Sequence, residues 1–217
     1  MRLAVVTEGT SDFFVIRAMV EALLPDAEIT PIHPEVPLAA YPEYAAARGQ
    51  AQLGAGWRGV RAWCREYGAD LELLLQADTL RPYDALIIHV DAAMADKVDR
   101  ERPCPPARDT TDGLRQVIVK DWLGQPVTPR FLVLATPSKV TDAWAVAAIV
   151  PDHPDIECDV GVRGVLVRRR LLRARSGGIR QRYEALATKI AKNLATVRRV
   201  CTEADRFVSD VAALIDG

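Results

Sequence analysis

The chain has 217 residues, 49% hydrophobic and 26% charged, enough to bury the core of one large domain or of one domain with an appendage. No apolar run approaches the ~18 residues of a membrane span. The amino terminus enters an apolar strand pattern directly, without the basic and apolar regions of a signal peptide, so a cytoplasmic location is expected. The net charge of −1 hides an asymmetry, because residues 160–200 hold twelve Arg or Lys against one acid, Glu184. A basic surface on an acidic body suits nucleic acid, and an ordinary solvated helical face is the alternative that charge leaves open. Cys64, Cys104, Cys158 and Cys201 are scattered without metal-ligand spacing. Reduced thiols are expected, and no structural zinc.

Leu3 to Val6 is short, apolar and β-branched, which predicts a buried strand. From Asp12 the apolar residues Phe13, Ile16, Val20 and Leu23 recur at helical spacing, with Ser11 or Asp12 placed to cap the first turn. "AEITPIHP" (27–34) predicts a second strand, which Pro31 and Pro34 confine to an edge. Residues 35–55 read as an irregular loop, and 57–77 as a helix broken near Gly68. "DALIIHVD" (84–91) is the clearest central strand, ending in Asp91. After a Pro-rich loop, 109–124 predicts an acid-started helix ending at Gly124. "RFLVLATP" (130–137) predicts another buried strand, followed by a helix over 138–150.

Strands alternating with helices predict an α/β fold with a mostly parallel sheet over residues 1–150. From 151 to 217 the pattern changes to a basic, helical extension packed on that domain, with helices near 179–196 and 201–215.

Parallel strands place their carboxyl ends on one edge, where ligands bind in open α/β sheets. Glu8 follows the first strand, Asp91 ends the central one, and Asp142 lies one turn into the helix after the third. Clustered carboxylates repel one another unless a cation neutralises them. Oxygen-only ligands suit Mg²⁺ or Mn²⁺, which orients a phosphate and lowers the pKa of a bound water.

"VVTEGTSDFFVIRAMVEALL" resembles the first motif of the Toprim fold, the metal-binding module of topoisomerases, primases and overcoming-lysogenization-defect nucleases. "DALIIHVDAAMAD" resembles its second motif. "TPSKVTDAWAVAAI" and the tail "YEALATKIAKNLATVRRVCTEADRFVSDVAALI" look like segments of a group of stand-alone Toprim-like proteins of unassigned function. The resemblance implies a Mg²⁺-dependent nuclease with Glu8 and Asp91 on the metal, and Asp12, Asp96 or Asp142 supporting it or orienting water. It also implies a place in bacterial defence or DNA maintenance, beside an ATPase partner. The sequence departs from the motif at Ala93, where the second acid normally stands, and at Asp142, where the group usually carries glutamate.

Lys139 or a basic-segment arginine is expected to stabilise charge on the phosphate, and Arg168, Arg169, Arg170, Arg173 and Arg175 to bind nucleic acid through their forked donors. Ala93 keeps open a degenerate Toprim-like binding or regulatory subunit without catalysis. A receiver-like or phosphatase-like protein with Asp91 as phosphoacceptor is a third reading. His89 shares a strand face with Asp91 and reads as a core or supporting histidine before a direct ligand. His33 and His153 read as surface residues, Trp144 as core, and Cys201 as packing or capping the last helix.

Overall fold

A computed structural model describes residues 1–34, 54–77, 82–100, 104, 111–159, 161–169, 171 and 179–215. Its frame is a four-stranded parallel sheet in the order β2-β1-β3-β4. The strands are β1 (Arg2–Val6), β2 (Glu28–His33), β3 (Ala85–His89) and β4 (Leu132–Ala135). The apolar runs in the sequence are continuous because both faces of this sheet are covered. Leu3, Val5, Ala85, Ile87, Val133 and Ala135 point to one core. Their alternating neighbours Ala4, Val6, Leu86, Ile88, Leu132 and Leu134 point to the other.

The first face is covered by α1 (Thr10–Leu23), α5 (Asp142–Ala147), α6 (Val162–Arg168), α7 (Ile179–Lys192), α8 (Leu194–Val200) and α9 (Thr202–Ala213). The second carries α2 (Gly56–Tyr67), α3 (Leu71–Leu75) and α4 (Asp112–Gln116), the last running on into a π-helical turn over Val117–Trp122. The basic helical segment after residue 150 is thus no free arm. Tyr183, Leu186, Ile190, Phe207 and Val211 share one apolar cluster with Phe13 and Ile16 of α1.

Several local features follow the sequence. β2 is an edge strand, and its register with β1 shifts just after Pro31. Gly68 interrupts the 57–77 helix as a 3₁₀ turn. A Cβ there would lie 2.5 Å from the Leu123 carbonyl oxygen, so the close backbone approach requires glycine. Gly124 ends the next helix with φ +67°, the left-handed conformation common just past helix ends.

Other features differ. The helix expected over 138–150 is confined to Asp142–Ala147. That expected over 179–196 breaks at Asn193, whose side-chain amide donates to the Ala148 carbonyl. His33 is buried at the end of β2, and His153 is half-buried and paired with Asp159. Cys104 and Cys158 form a disulfide with Cα atoms 5.4 Å apart, while Cys64 and Cys201 are free and buried. Spacing is blind to two cysteines separated by 54 positions that the chain brings together. Among the described residues, no helix is long and apolar enough to cross a membrane.

Candidate metal centre

The strand order sets the place of the site. From β1 the chain moves to β2 on one side and then to β3 on the other, so the β1/β3 gap is a topological switch point, where crevices form in such sheets. β1 runs out through Thr7 into Glu8, and β3 runs out through His89 and Val90 into Asp91. Val90 belongs to the second core. His89 and Asp91, on the alternate positions, turn toward the face of α1 and α5.

Asp12, His89 and Asp91 form one group, each offering a ligand atom within 4.8 Å of the others. Asp12 stands in the first turn of α1 but does not cap it. Gly9 is the N-cap and no side-chain cap bond is made there. Asp12 instead takes a hydrogen bond from the Thr141 side chain. Asp91 is anchored on three sides. Its backbone N–H donates to Glu8 Oε1 at 2.8 Å, its Oδ1 accepts from the Thr141 N–H at 3.1 Å and hydroxyl at 3.0 Å, and His89 Nε2 lies 3.1 Å away. Among the described residues, all side-chain bonds to Asp91 fall on Oδ1. His89 is fully buried, with Nε2 also 2.6 Å from Thr141 Oγ1, while its Nδ1 has no hydrogen-bond partner.

The electrostatics follow from crowding carboxylates out of water. Burial, and then the Asp91 charge, push Glu8 up to about 7. Burial also raises Asp12, with the Asp91 and Asp142 charges adding to it. For His89 burial opposes the charged form, but the bond to Asp91 and the charges of Asp12, Asp91 and Glu8 prevail and push it up to about 9. Asp142 is raised by burial, and its carboxylate accepts from the Tyr183 hydroxyl at 3.2 Å and faces Arg163 Nε at 3.9 Å. Glu8, Asp91 and Asp142 therefore gather at one sheet edge, as parallel strands require. Glu8 braces the backbone of Asp91, and Asp142 forms the far wall with Tyr183 and Arg163.

The remaining expected site residues are placed as follows. Asp96 is exposed on a 3₁₀ segment over Ala92–Val98 and pairs with Lys97. Ala92 and Ala95 take that segment's buried positions, so Asp96 does not reach back to Asp91. Lys139 is half-buried between β4 and α5, where its carbonyl accepts from the Ala93 N–H. Arg168 and Arg169 are exposed at the end of α6, while Arg170, Arg173 and Arg175 lie outside the described residues. Trp144 is fully buried and stacks on Phe207, and Cys201 is the buried N-cap of α9. Three residues of the site needed the fold to be seen, one of them Tyr183, whose hydroxyl donates to Asp142. Thr141 becomes a donor to both aspartates through the β4–α5 turn, and Arg163 reaches Asp142 across 21 positions of chain.

A cleft of about 1040 Å³ lies along the free side of β4 and toward the amino ends of the strands, lined in part by Asp84, Arg130 and Arg206. Its charges are largely spent on one another. Arg206 pairs with Asp112, and Arg115 with Asp210 and Glu203. The three-residue group has no such internal pairing beyond His89. No protein-family model, curated protein or solved structure matches the chain.

Proposed function

We propose that the protein is a divalent-metal-dependent hydrolase of phosphodiester bonds in nucleic acid, with Mg²⁺ or Mn²⁺ at the carboxylate group. The observation that carries this reading is the convergence of Asp12, His89 and Asp91 within 4.8 Å at the switch point of a parallel sheet. The donor set fits a small divalent cation. Two carboxylates and an imidazole supply hard and borderline ligands. The Toprim resemblance of the segments around Glu8 and Asp91 points the same way.

Asp12 and Asp91 would hold the ion, with Thr141 and the Glu8–backbone bond fixing the Asp91 carboxylate so that its Oδ2 is left to the metal. When bound, the ion would polarise the phosphate and lower the pKa of a water ligand. Arg163 takes the phosphate-side position expected of Lys139, because its side chain is 64% exposed beside Asp142 and a guanidinium matches phosphate oxygens in a fork. Arg168 and Arg169, exposed at the end of α6, add further cationic charge.

The test is cleavage of single- and double-stranded DNA and RNA with either metal. Asp91→Asn should abolish it while leaving the fold intact, since the amide oxygen can keep the bonds from Thr141 and only the charge is lost. Full activity in that variant, or activity indifferent to a chelator, would rule the mechanism out. The binding-subunit reading is favoured by Ala93 and by the exposure of Asp96. Metal-independent binding without cleavage under any metal is its signature.

A further inference from the structure

We infer that His89 is a nitrogen ligand of the metal, so that the centre selects a first-row transition ion over magnesium. The inference rests on the metal reading above and concerns which ion the site takes.

The argument starts with what β3 does to the side chain. His89 is its last residue, it is 0% exposed, and the sheet alternation turns it to the face where α1 presents Asp12. Its Nε2 is drawn to the same Asp91 oxygen that Thr141 grips, and the hydroxyl of Thr141 lies closer still. Whichever tautomer the ring adopts, Nδ1 finds no donor or acceptor. The nitrogen that faces the carboxylates is therefore Nε2, the atom that an ion between Asp12 and Asp91 would meet.

Chemistry then separates the ions. Mg²⁺ is hard, holds its waters and takes oxygen ligands in a strict octahedron. Imidazole is a borderline donor that adds affinity for Mn²⁺, Fe²⁺, Co²⁺ and the later ions and little for Mg²⁺. Replacing one oxygen of an all-carboxylate site by His89 therefore tilts the centre toward the transition series.

Mn²⁺ alone is the probe, because it is paramagnetic and accepts both oxygen and nitrogen. With the native chain, electron spin-echo modulation of bound Mn²⁺ should show the ¹⁴N coupling of a directly coordinated imidazole. Calorimetric titration should show Mn²⁺ binding on the order of tenfold or more tightly than Mg²⁺, the size of effect that ligand-sphere changes produce. In His89→Gln that preference should shrink toward parity, with Mg²⁺ affinity changed little. Mn²⁺ bound without nitrogen coupling would overturn the inference and leave His89 as a buried counter-ion, with the metal reading intact. Equal affinities for the two ions in the native chain would also overturn it. Failure of both ions to bind would overturn the metal reading itself. The coupling is read on the native chain, so the test does not depend on the variant folding.

Discussion

Two groups of buried carboxylates, joined through α5, show how one residue type serves two purposes. Beneath α9, Glu157 is held by protein donors, and Glu203 meets Arg115 in an ion pair without a hydrogen bond at Oε2. Glu157 accepts from the Trp144 indole N–H at 3.2 Å and from the Glu203 backbone N–H at 3.1 Å, at the amino-terminal turn of α9 where amides lack helical partners. Glu203 faces Arg115, which also reaches Thr136 and Asp210. At the sheet's carboxyl edge, the partners of Asp12 and Asp91 among the described residues are Thr141 and His89. The first group is closed by helix amides and a guanidinium, which makes it a fastening. The second gathers its carboxylates around one imidazole at the switch point, which is the basis for proposing it as a receptor for a cation.

Substitutions should therefore act in opposite ways in the two regions. Asp12→Asn is expected to weaken Mn²⁺ binding by roughly 100-fold, since one of few anionic ligands is lost, and to leave the metal-free melting temperature unchanged or higher, since a crowded charge is removed. Calorimetric titration and a thermal melt check the pair. A large loss of stability would make Asp12 a structural residue like Glu203.

Arg115→Ala should do the reverse. It leaves Glu203 and Asp210 without their cation, and breaking a buried pair from one side costs about 3–5 kcal/mol. Denaturant unfolding should show that loss, with Mn²⁺ affinity unchanged. A metal defect in this variant would mean that the two regions are coupled.

The pH dependence sharpens the same contrast. Burial, against the donors from Trp144 and α9, pushes Glu157 from 4.5 up to about 7. The folded chain then keeps a proton that the unfolded chain releases, so this group's stabilisation is complete below about 4.5 and is lost as pH rises through about 7. Between pH 5 and 8 the native chain should lose about 1–3 kcal/mol from this source. Glu157→Gln should flatten that decline, and added Mn²⁺ should not alter the part that Glu157 contributes. An identical slope in the variant would assign the pH dependence elsewhere.

The smallest effects concern substrate. Arg163→Ala should raise the KM for an oligonucleotide a few-fold without changing metal affinity, as an exposed cation beside the site would. Converting Arg168 and Arg169 to alanine should flatten the log–log salt dependence of duplex DNA binding by about two units, near 0.9 per phosphate contact. An unchanged slope would assign these arginines to the protein's own surface.

Much of the frame was legible in the sequence because a parallel sheet covered on both faces writes itself as unbroken apolar strands. The carboxyl-edge positions of Glu8 and Asp91 follow from that alone, and Asp12 follows from the helix that starts behind Glu8. What the sequence could not fix was which of these acids meet. Asp96 has the right type and a plausible distance along the chain, yet a 3₁₀ segment turns it to solvent. His89 carried its signal in the His-x-Asp alternation on one strand face, but only the arrival of α1 on that face makes it part of the group. The disulfide, the Arg163–Asp142 pair and the Tyr183 bond all join distant segments, and no local pattern encodes them.

The central claim is that the carboxyl edge is a cation receptor, and titration of Mn²⁺ into the native chain and into Asp91→Asn tests it most directly. Asn can keep the hydrogen bonds that Thr141 gives to Oδ1 while removing the charge, so the fold should persist. One ion per native chain, with binding lost in the variant, is the expected result. No binding to the native chain, or equal binding to both, would contradict it.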